Sequence, residues 1–356
     1  MNYKAEDMRI NNQKNNTLLL YIIAILLLLV VFLISVSVGS VEISFSDIFK
    51  LLKDHFSGVS RKDNINEGLS TILFNVRMPR VILAAMVGAA LSVSGAAMQG
   101  LLKNPLAEGS TLGITSGGAL GAVLSLTLGM YIPVFKHLGL AITSIVFSFL
   151  SIVLILSLTY KIDKGLSTHT IILTGVIFSM FASSLTSLLV TLSGDNLKQV
   201  VFWSMGSFSG RGWSHVRLMF PFFVTGTIIL LTLSLELNAF SLGEEQARYL
   251  GVNTKKIKLL ILTLVSVLVG ISVSVSGTIG FVGLVVPHIT RLLTGPNFKR
   301  LLPLSLLFGA SFLMLTDLVS RTVLSPVELP IGVVTSFIGA FLFIYIFYNH
   351  SNRKNS

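Results

Sequence analysis

An all-α, polytopic membrane protein of about ten transmembrane helices is the fold this sequence predicts, on three observations. Charged residues make up only 12% of the chain against 53% hydrophobic, and the mean hydropathy is +0.84. Soluble domains carry about twice that charged share. Apolar runs near the ~20 residues that a helix needs to cross a bilayer recur along the whole chain. Small residues stand one helical turn apart in two consecutive runs: Gly88, Ser92, Ala96 and Gly100, then Gly113, Gly117 and Gly121. In lipid such stripes let helix backbones approach closely, because association there rests on van der Waals contact and not on expelling water.

Residues 1–16 are polar, with Lys4, Arg9 and Lys14, and form an N-terminal tail. The apolar run 18–34 exceeds the ~7–15 residues of a cleaved signal core. Despite the small-x-small triplet Ser35-Val36-Ser37, segment 17–38 is therefore read as a retained first span. Residues 40–74 make a long polar connection with room for a short helix near 45–53. Arg77-Met78-Pro79-Arg80 opens the second span, 75–102. An arginine costs about 2.5–3.5 kcal/mol at a helix centre, which keeps Arg77 and Arg80 at the mouth, ahead of Val81. The break at Asn104-Pro105 leads to a third span, 109–130.

Further spans are expected at 137–160, 168–192, 215–237, 257–276, 280–294, 302–324 and 328–348. The eighth is short and contains Pro287, which marks a broken or tilted helix. Residues 196–208 are too short to span and read as an interfacial or re-entrant helix with Trp203 near the headgroups. Residues 349–356 form a C-terminal tail, and no linker divides the single membrane domain 17–348.

Lysine and arginine set the orientation, with both ends cytoplasmic. Lys161, Lys164, Arg248, Lys255, Lys256, Lys258, Arg291, Lys299 and Arg300 then fall inside; Lys50, Lys53, Arg61, Lys62, Arg77 and Arg80 cluster outside. The net charge of +11 is loop charge facing cytoplasm and membrane lipid. No basic face interleaved with aromatics supports a nucleic-acid partner.

Residues 238–256 are the one long polar interruption in the second half. Ser241 with Glu244 three residues on reads as a capping box, Glu244 and Glu245 suit a first turn, and Gly251 supplies a left-handed stop. Asn253 or Thr254 then caps the next helix. A short, capped helix outside the lipid suits a lever for a partner protein as well as it suits a plain connector.

The chain has no cysteine, which excludes thiolate metal sites, disulfides and cysteine nucleophiles. His288 stands alone beside a kink, and Met86 and Met98 suit packing or path lining, so no metal site and no cofactor is expected. No Gly is followed by Lys, so no phosphate-binding P-loop is present and the chain is not expected to be an enzyme.

Five motifs in order resemble the permease subunits of ABC importers for ferric siderophores, haem and cobalamin, the iron-chelate/vitamin B12 permease family. They are RMPR at 77–80, GAALSVSGAAMQGLLKNPLAEG at 88–109, LGEEQARYLG at 242–251, GTIGFVGLVVPHITRLL at 277–293 and ELPIGVVTSFIGAFLFIYI at 328–346. The resemblance covers roughly 18–348 and implies a vitamin B12 permease-like fold in the bacterial cytoplasmic (inner) membrane. It also implies a second permease subunit, two ATP-binding subunits and an extracytoplasmic substrate-binding protein.

By the same resemblance, Leu242, Gly243, Glu244, Glu245, Ala247, Leu250 and Gly251 couple to the ATPase. Asn104, Pro105, Leu106 and Thr168 form the cytoplasmic gate, and Arg77, Arg80 and Arg321 dock the binding protein. Arg321 stands one turn after Asp317, with which it can pair inside the helix. An ion-coupled secondary transporter is the alternative, and Asp317 is its one fair mid-span acid. An intramembrane enzyme would need nucleophile pairing or metal ligands that the sequence lacks.

Overall fold

The computed structural model describes residues 2–39, 41–57, 64–129 and 139–355, all helix and connection with no strand among them. The expected outer-loop residues Arg61, Lys62 and Asp63 lie outside the described residues. The first half comprises α1 (Asn2–Ser37), α2 (Phe45–Ser57), α3 (Asn64–Thr71), α4 (Met78–Leu101), α5 (Ile114–Thr127), α6 (Gly139–Ile162) and α7 (Thr168–Thr191). Then come α8 (Leu197–Ser204), α9 (Trp213–Thr232), α10 (Ser234–Leu242), α11 (Glu244–Tyr249), α12 (Thr254–Ser276), α13 (Val282–Thr294), α14 (Phe298–Thr322) and α15 (Ile331–Asn355). A wider-wound turn, Ile72–Arg77, joins α3 to α4 without a break.

Among the described residues, seven helices are long and apolar enough to cross a membrane, and three predicted spans come out shorter: α5, α13 and the apolar part of α15. At 1.5 Å per residue, the 14 residues of α5 reach about 21 Å, short of the ~30 Å hydrocarbon core. The expected span 109–130 begins late because residues 102–113 form turns. Asn104 Oδ1 accepts from the Leu106 amide at 2.9 Å, and Gly113 takes a left-handed φ of 73° just before the helix.

α4 is the hub. Its span is 89% buried, against 22% for both α1 and α7. The small residues explain how neighbours reach it. A Cβ added at Gly88 would overlap the Gly309 carbonyl of α14, and one added at Gly95 would overlap the Gly283 carbonyl of α13. Gly100 leaves room for the Phe298 ring. Ser92 meets Gly309 and Ala96 is fully buried. On α5, Gly117 lies against Ser151 and Gly121 against Phe147 and the Thr143 carbonyl of α6. Gly113 faces Phe178 and the Gly175 carbonyl of α7. Gly95, Gly283 and Gly309 complete contacts of which the four-residue spacing revealed one side.

Pro287 has no N–H to give the Gly283 carbonyl, four residues back in α13. Gln99 Nε2 of α4 reaches that carbonyl at 3.3 Å and the Leu284 carbonyl at 3.1 Å. The carbonyl that the proline leaves open is thereby satisfied by the neighbouring helix.

Two local expectations are corrected. Trp203, expected near the headgroups, is instead packed inside protein, because α8 lies against α5 and the chain around Gly277. The other indole, Trp213, donates its Nε1 to the Phe74 carbonyl at 2.8 Å. Ser241 caps nothing: it belongs to the last turn of α10 and donates to the Asn238 carbonyl at 2.6 Å. Gly243, at φ 133°, starts α11 instead.

Candidate functional site

Most of the residues expected to be functional gather at two opposite ends of the bundle, each around a buried cation. At the first end, Arg80 on the opening turn of α4 faces two carboxylates. Its Nη2 donates to Asp317 Oδ1 at 2.9 Å and its Nη1 to Glu328 Oε1 at 2.9 Å, with further bonds from Nε to Asp317 and from Nη2 to Glu328. The planar guanidinium fork matches two carboxylates at once, as an ammonium cannot. Arg321 Nε lies 3.5 Å from Asp317 Oδ2, and its Nη2 bonds the Ser35 carbonyl.

Arg77 Nη1 donates to the carbonyls of Val36 at 2.9 Å and Ser37 at 2.6 Å, and Nη2 reaches Val41. It thus satisfies carbonyls that the end of α1 leaves open. The sequence places Arg77 and Arg80 at a mouth, facing outward, and here the structure differs. Arg77 is 4% exposed and Arg80 9%, and the bonds described for them are all internal. Carbonyls at the end of α1 and acids more than 200 positions away in sequence stabilise the cations inside the wall. Arg321 does pair with Asp317 within α14, but Arg80 is the closer partner.

At the other end, α10 and α11 turn the chain through Gly243 and Gly251, both at positive φ. Gly251 (φ 85°) is the left-handed stop read from the sequence, and Asn253 caps α12 by accepting from the Lys256 amide at 3.2 Å. Ala247 is fully buried, whereas Leu242, Tyr249 and Leu250 are 62%, 89% and 63% exposed. Leu242 at the end of α10 and Tyr249 and Leu250 at the end of α11 thus leave apolar side chains bare on either side of the short helix. Sequence reasoning missed Tyr249; an aromatic within a short capped helix outside the spans was the available signal. Glu245 is exposed in the first turn, while Glu244 turns inward.

Lys258, one turn into α12, is 1% exposed. Its Nζ donates at 2.8 Å to Glu244 Oε2 and at 2.8 Å to the Leu166 carbonyl. Leu166 sits at a φ of 52°, unusual for leucine, in the turn between α6 and α7. That turn is held by Asp163, which accepts from the amides of Gly165 at 2.8 Å and Ser167 at 2.9 Å. Hydrogen bonds from the Ser167 side chain and amide and from the Gly165 amide hold the Asp163 carboxyl below its ordinary value. Thr168 opens α7 directly after this turn.

Of the other expected gate residues, Pro105 and Leu106 are exposed and Asn104 is half-buried, in the connection between α4 and α5. Residues 110–112 of that connection run along α7. Ser179 donates to the Ser110 carbonyl at 3.4 Å, and Gly175 admits the Thr111 carbonyl.

Residues 27–349 match the model of the FecCD transport family. An uncharacterised ABC transporter permease of Bacillus subtilis is 47% identical over 315 residues, 88% of this chain and 89% of that protein. The molybdate import system permease of Haemophilus influenzae is 37% identical over 318 residues, 89% and 91% of the two chains. A solved structure described as an inward-facing conformation of a metal-chelate type ABC transporter aligns with a TM-score of 0.81 at 36% identity. It covers 93% of this chain and 99% of that one.

Proposed function

The chain belongs to the FecCD transport family and is a multi-pass permease subunit of an ABC transporter, and on that premise we propose that it imports a metal chelate. The cargo class is a ferric siderophore, haem or cobalamin, crossing the bacterial cytoplasmic membrane between this subunit and a second permease, identical or sister. Two separate ATP-binding subunits supply the energy and an extracytoplasmic binding protein supplies the cargo. Relatives named for haemin, Fe(3+)-citrate and cobalamin support this class, and the molybdate relative widens it.

The observation that carries the reading is the α11 end. Leu242, Tyr249 and Leu250 are bare on a helix too short to span, and the chain has no phosphate-binding loop of its own. We assign residues 242–251 to the ATPase contact and the Asn104-Pro105-Leu106 and Thr168 turns to the cytoplasmic gate. At the Arg80 end, three guanidiniums against the two carboxylates of Asp317 and Glu328 leave one net positive charge (3 − 2 = 1). An acidic binding-protein surface is suited to that end, with Arg77, Arg80 and Arg321 as its scaffold.

The ion-coupled alternative is weakened by Asp317. Its carboxylate is already engaged by Arg80 and Arg321, so it is a structural partner of two cations and not a free mid-span acid.

Reconstituted vesicles test the reading: uptake should vanish when the partner ATPase is omitted, whereas an ion-coupled carrier would keep it. Because the chain has no cysteine, single cysteines report its orientation directly. Asn2, Asp163, Gln246 and Asn352 are assigned to the cytoplasm, and Asp63, Asn196 and Ser325 to the outside. Labelling at 246 by an impermeant reagent in intact cells overturns that orientation. Ligand binding to the cognate extracytoplasmic protein identifies the cargo.

A further inference from the structure

We propose that Lys258 transmits movement of α11 to the turn at 163–168, as the positioning residue that links the ATPase contact to the gate. This rests on reading α11 as the ATPase contact. Three elements meet at one ammonium: Glu244 of α11, the Leu166 carbonyl of the α6–α7 turn, and α12, which carries the lysine.

The ammonium is buried, so losing either acceptor leaves donors unpaired away from water. Leu166 accepts its left-handed backbone here, and that conformation delivers its carbonyl to Nζ. Asp163 ties residues 163–167 into one unit, so a pull on the Leu166 carbonyl moves the whole turn and with it the start of α7.

On the α12 side, Lys255 lies 4.8 Å over the Tyr160 ring of α6. Arg248 of α11 reaches Glu244 Oε1 at 3.4 Å and Thr254 Oγ1 of α12 at 3.1 Å, but neither bond touches the 163–168 turn, so Lys258 alone carries the described link from Glu244 to that turn. The ammonium has three donors and so holds the carboxylate and the carbonyl at once, keeping α11 and the turn in step.

The test uses the whole transporter, with its ATPase and loaded binding protein, in proteoliposomes. Lys258→Arg should keep uptake per ATP near the native ratio, and Lys258→Gln, which keeps a donor without charge, should lower it. Lys258→Met should cut it about tenfold, within the range by which residues along a coupling route alter communication. ATPase co-purification and basal hydrolysis are expected to persist in all three. Spin labels on cysteines at 164 and 246 should hold a constant separation through the nucleotide cycle in the native chain. In Lys258→Met that separation should change as α11 moves alone.

Native uptake per ATP in both Lys258→Gln and Lys258→Met overturns the proposal, as does a label separation that behaves identically in native and Lys258→Met chains. Where Lys258→Met does not assemble, Lys258→Gln alone decides by the same two readouts. A separate control guards the underlying reading: replacing 242–251 by a Gly/Ser linker should release the ATPase. An ATPase that stays bound to that variant sinks the contact assignment and not the transmission step.

Discussion

Arg80 and Lys258 are both buried cations that join distant parts of the chain, yet they hold them in opposite ways. Arg80 presents a rigid fork to two carboxylates and makes five bonds at 2.9–3.2 Å, with Arg321 and the carbonyls of α1 around it. Lys258 makes two bonds, one to a carboxylate 30% exposed and one to a backbone carbonyl. The Arg80 end is locked; the Lys258 end is tethered. On the proposed reading, with one face held for docking and the other moved under ATP, that asymmetry is what the two ends would need.

The most severe test of the comparison is to remove the lock. Arg80→Met leaves Asp317 and Glu328 without their shared cation and should destabilise the protein by about 3–5 kcal/mol, the range for breaking a buried pair from one side. Thermal unfolding in detergent reads this loss. Reversing Arg77 and Arg80 together to Glu should cost more still, since α1 then loses the cap on its last carbonyls. Its first symptom would be missing folded protein, ahead of any docking defect. A native unfolding temperature for Arg80→Met would erase the contrast between the two ends.

A smaller effect sharpens the other side. Tyr249→Ala should weaken ATPase affinity by about 2 kcal/mol, as aromatic anchors at interface centres do, with unfolding in detergent unchanged because the ring supports nothing inside the chain. Affinity measured in nanodiscs checks it; a stability loss with intact affinity would make Tyr249 a fold residue.

The smallest expected effect concerns pH. Asp163 ionises below its ordinary value of 3.8, so its contribution is fully present above that value and fades only as pH falls through the lowered one. The amides of Gly165 and Ser167 should therefore stay protected from hydrogen exchange through mild acid, and Asp163→Asn should weaken that protection even at neutral pH. If both amides exchanged freely near pH 5, the turn would not move as a unit.

Most of the helices were legible, because a 20-residue apolar run has few other uses. What escaped was depth and partnership. The connection 102–113 runs on into the span expected at 109–130, and apolar content cannot tell turns buried in protein from turns of helix. Gly88 and Gly100 were readable as close-contact positions; that they meet Gly309 and Phe298 was not, since sequence spacing reports a face and never its neighbour. The arginines show the same limit. Arg77 and Arg80 were correctly placed at the start of a helix, but their carbonyl and carboxylate partners come from other segments. Around Ser241 the motif was present and the geometry went to a neighbour: Gly243 took the turn because only glycine adopts its φ of 133° without strain.

The separation of Arg80 from Asp317 also sets a clock. The two lie 237 residues apart, and α4 is made long before α14. At ~5–20 residues per second, the ribosome leaves on the order of tens of seconds between them. Throughout that interval the most buried helix of the finished bundle has a guanidinium with no carboxylate and a glycine face with no neighbour. Arg80 must wait at the lipid surface, where a long cationic side chain can keep its head in water. The centre of this protein is thus inserted early and closed late, and whatever shelters half-made membrane chains has α4 in its care.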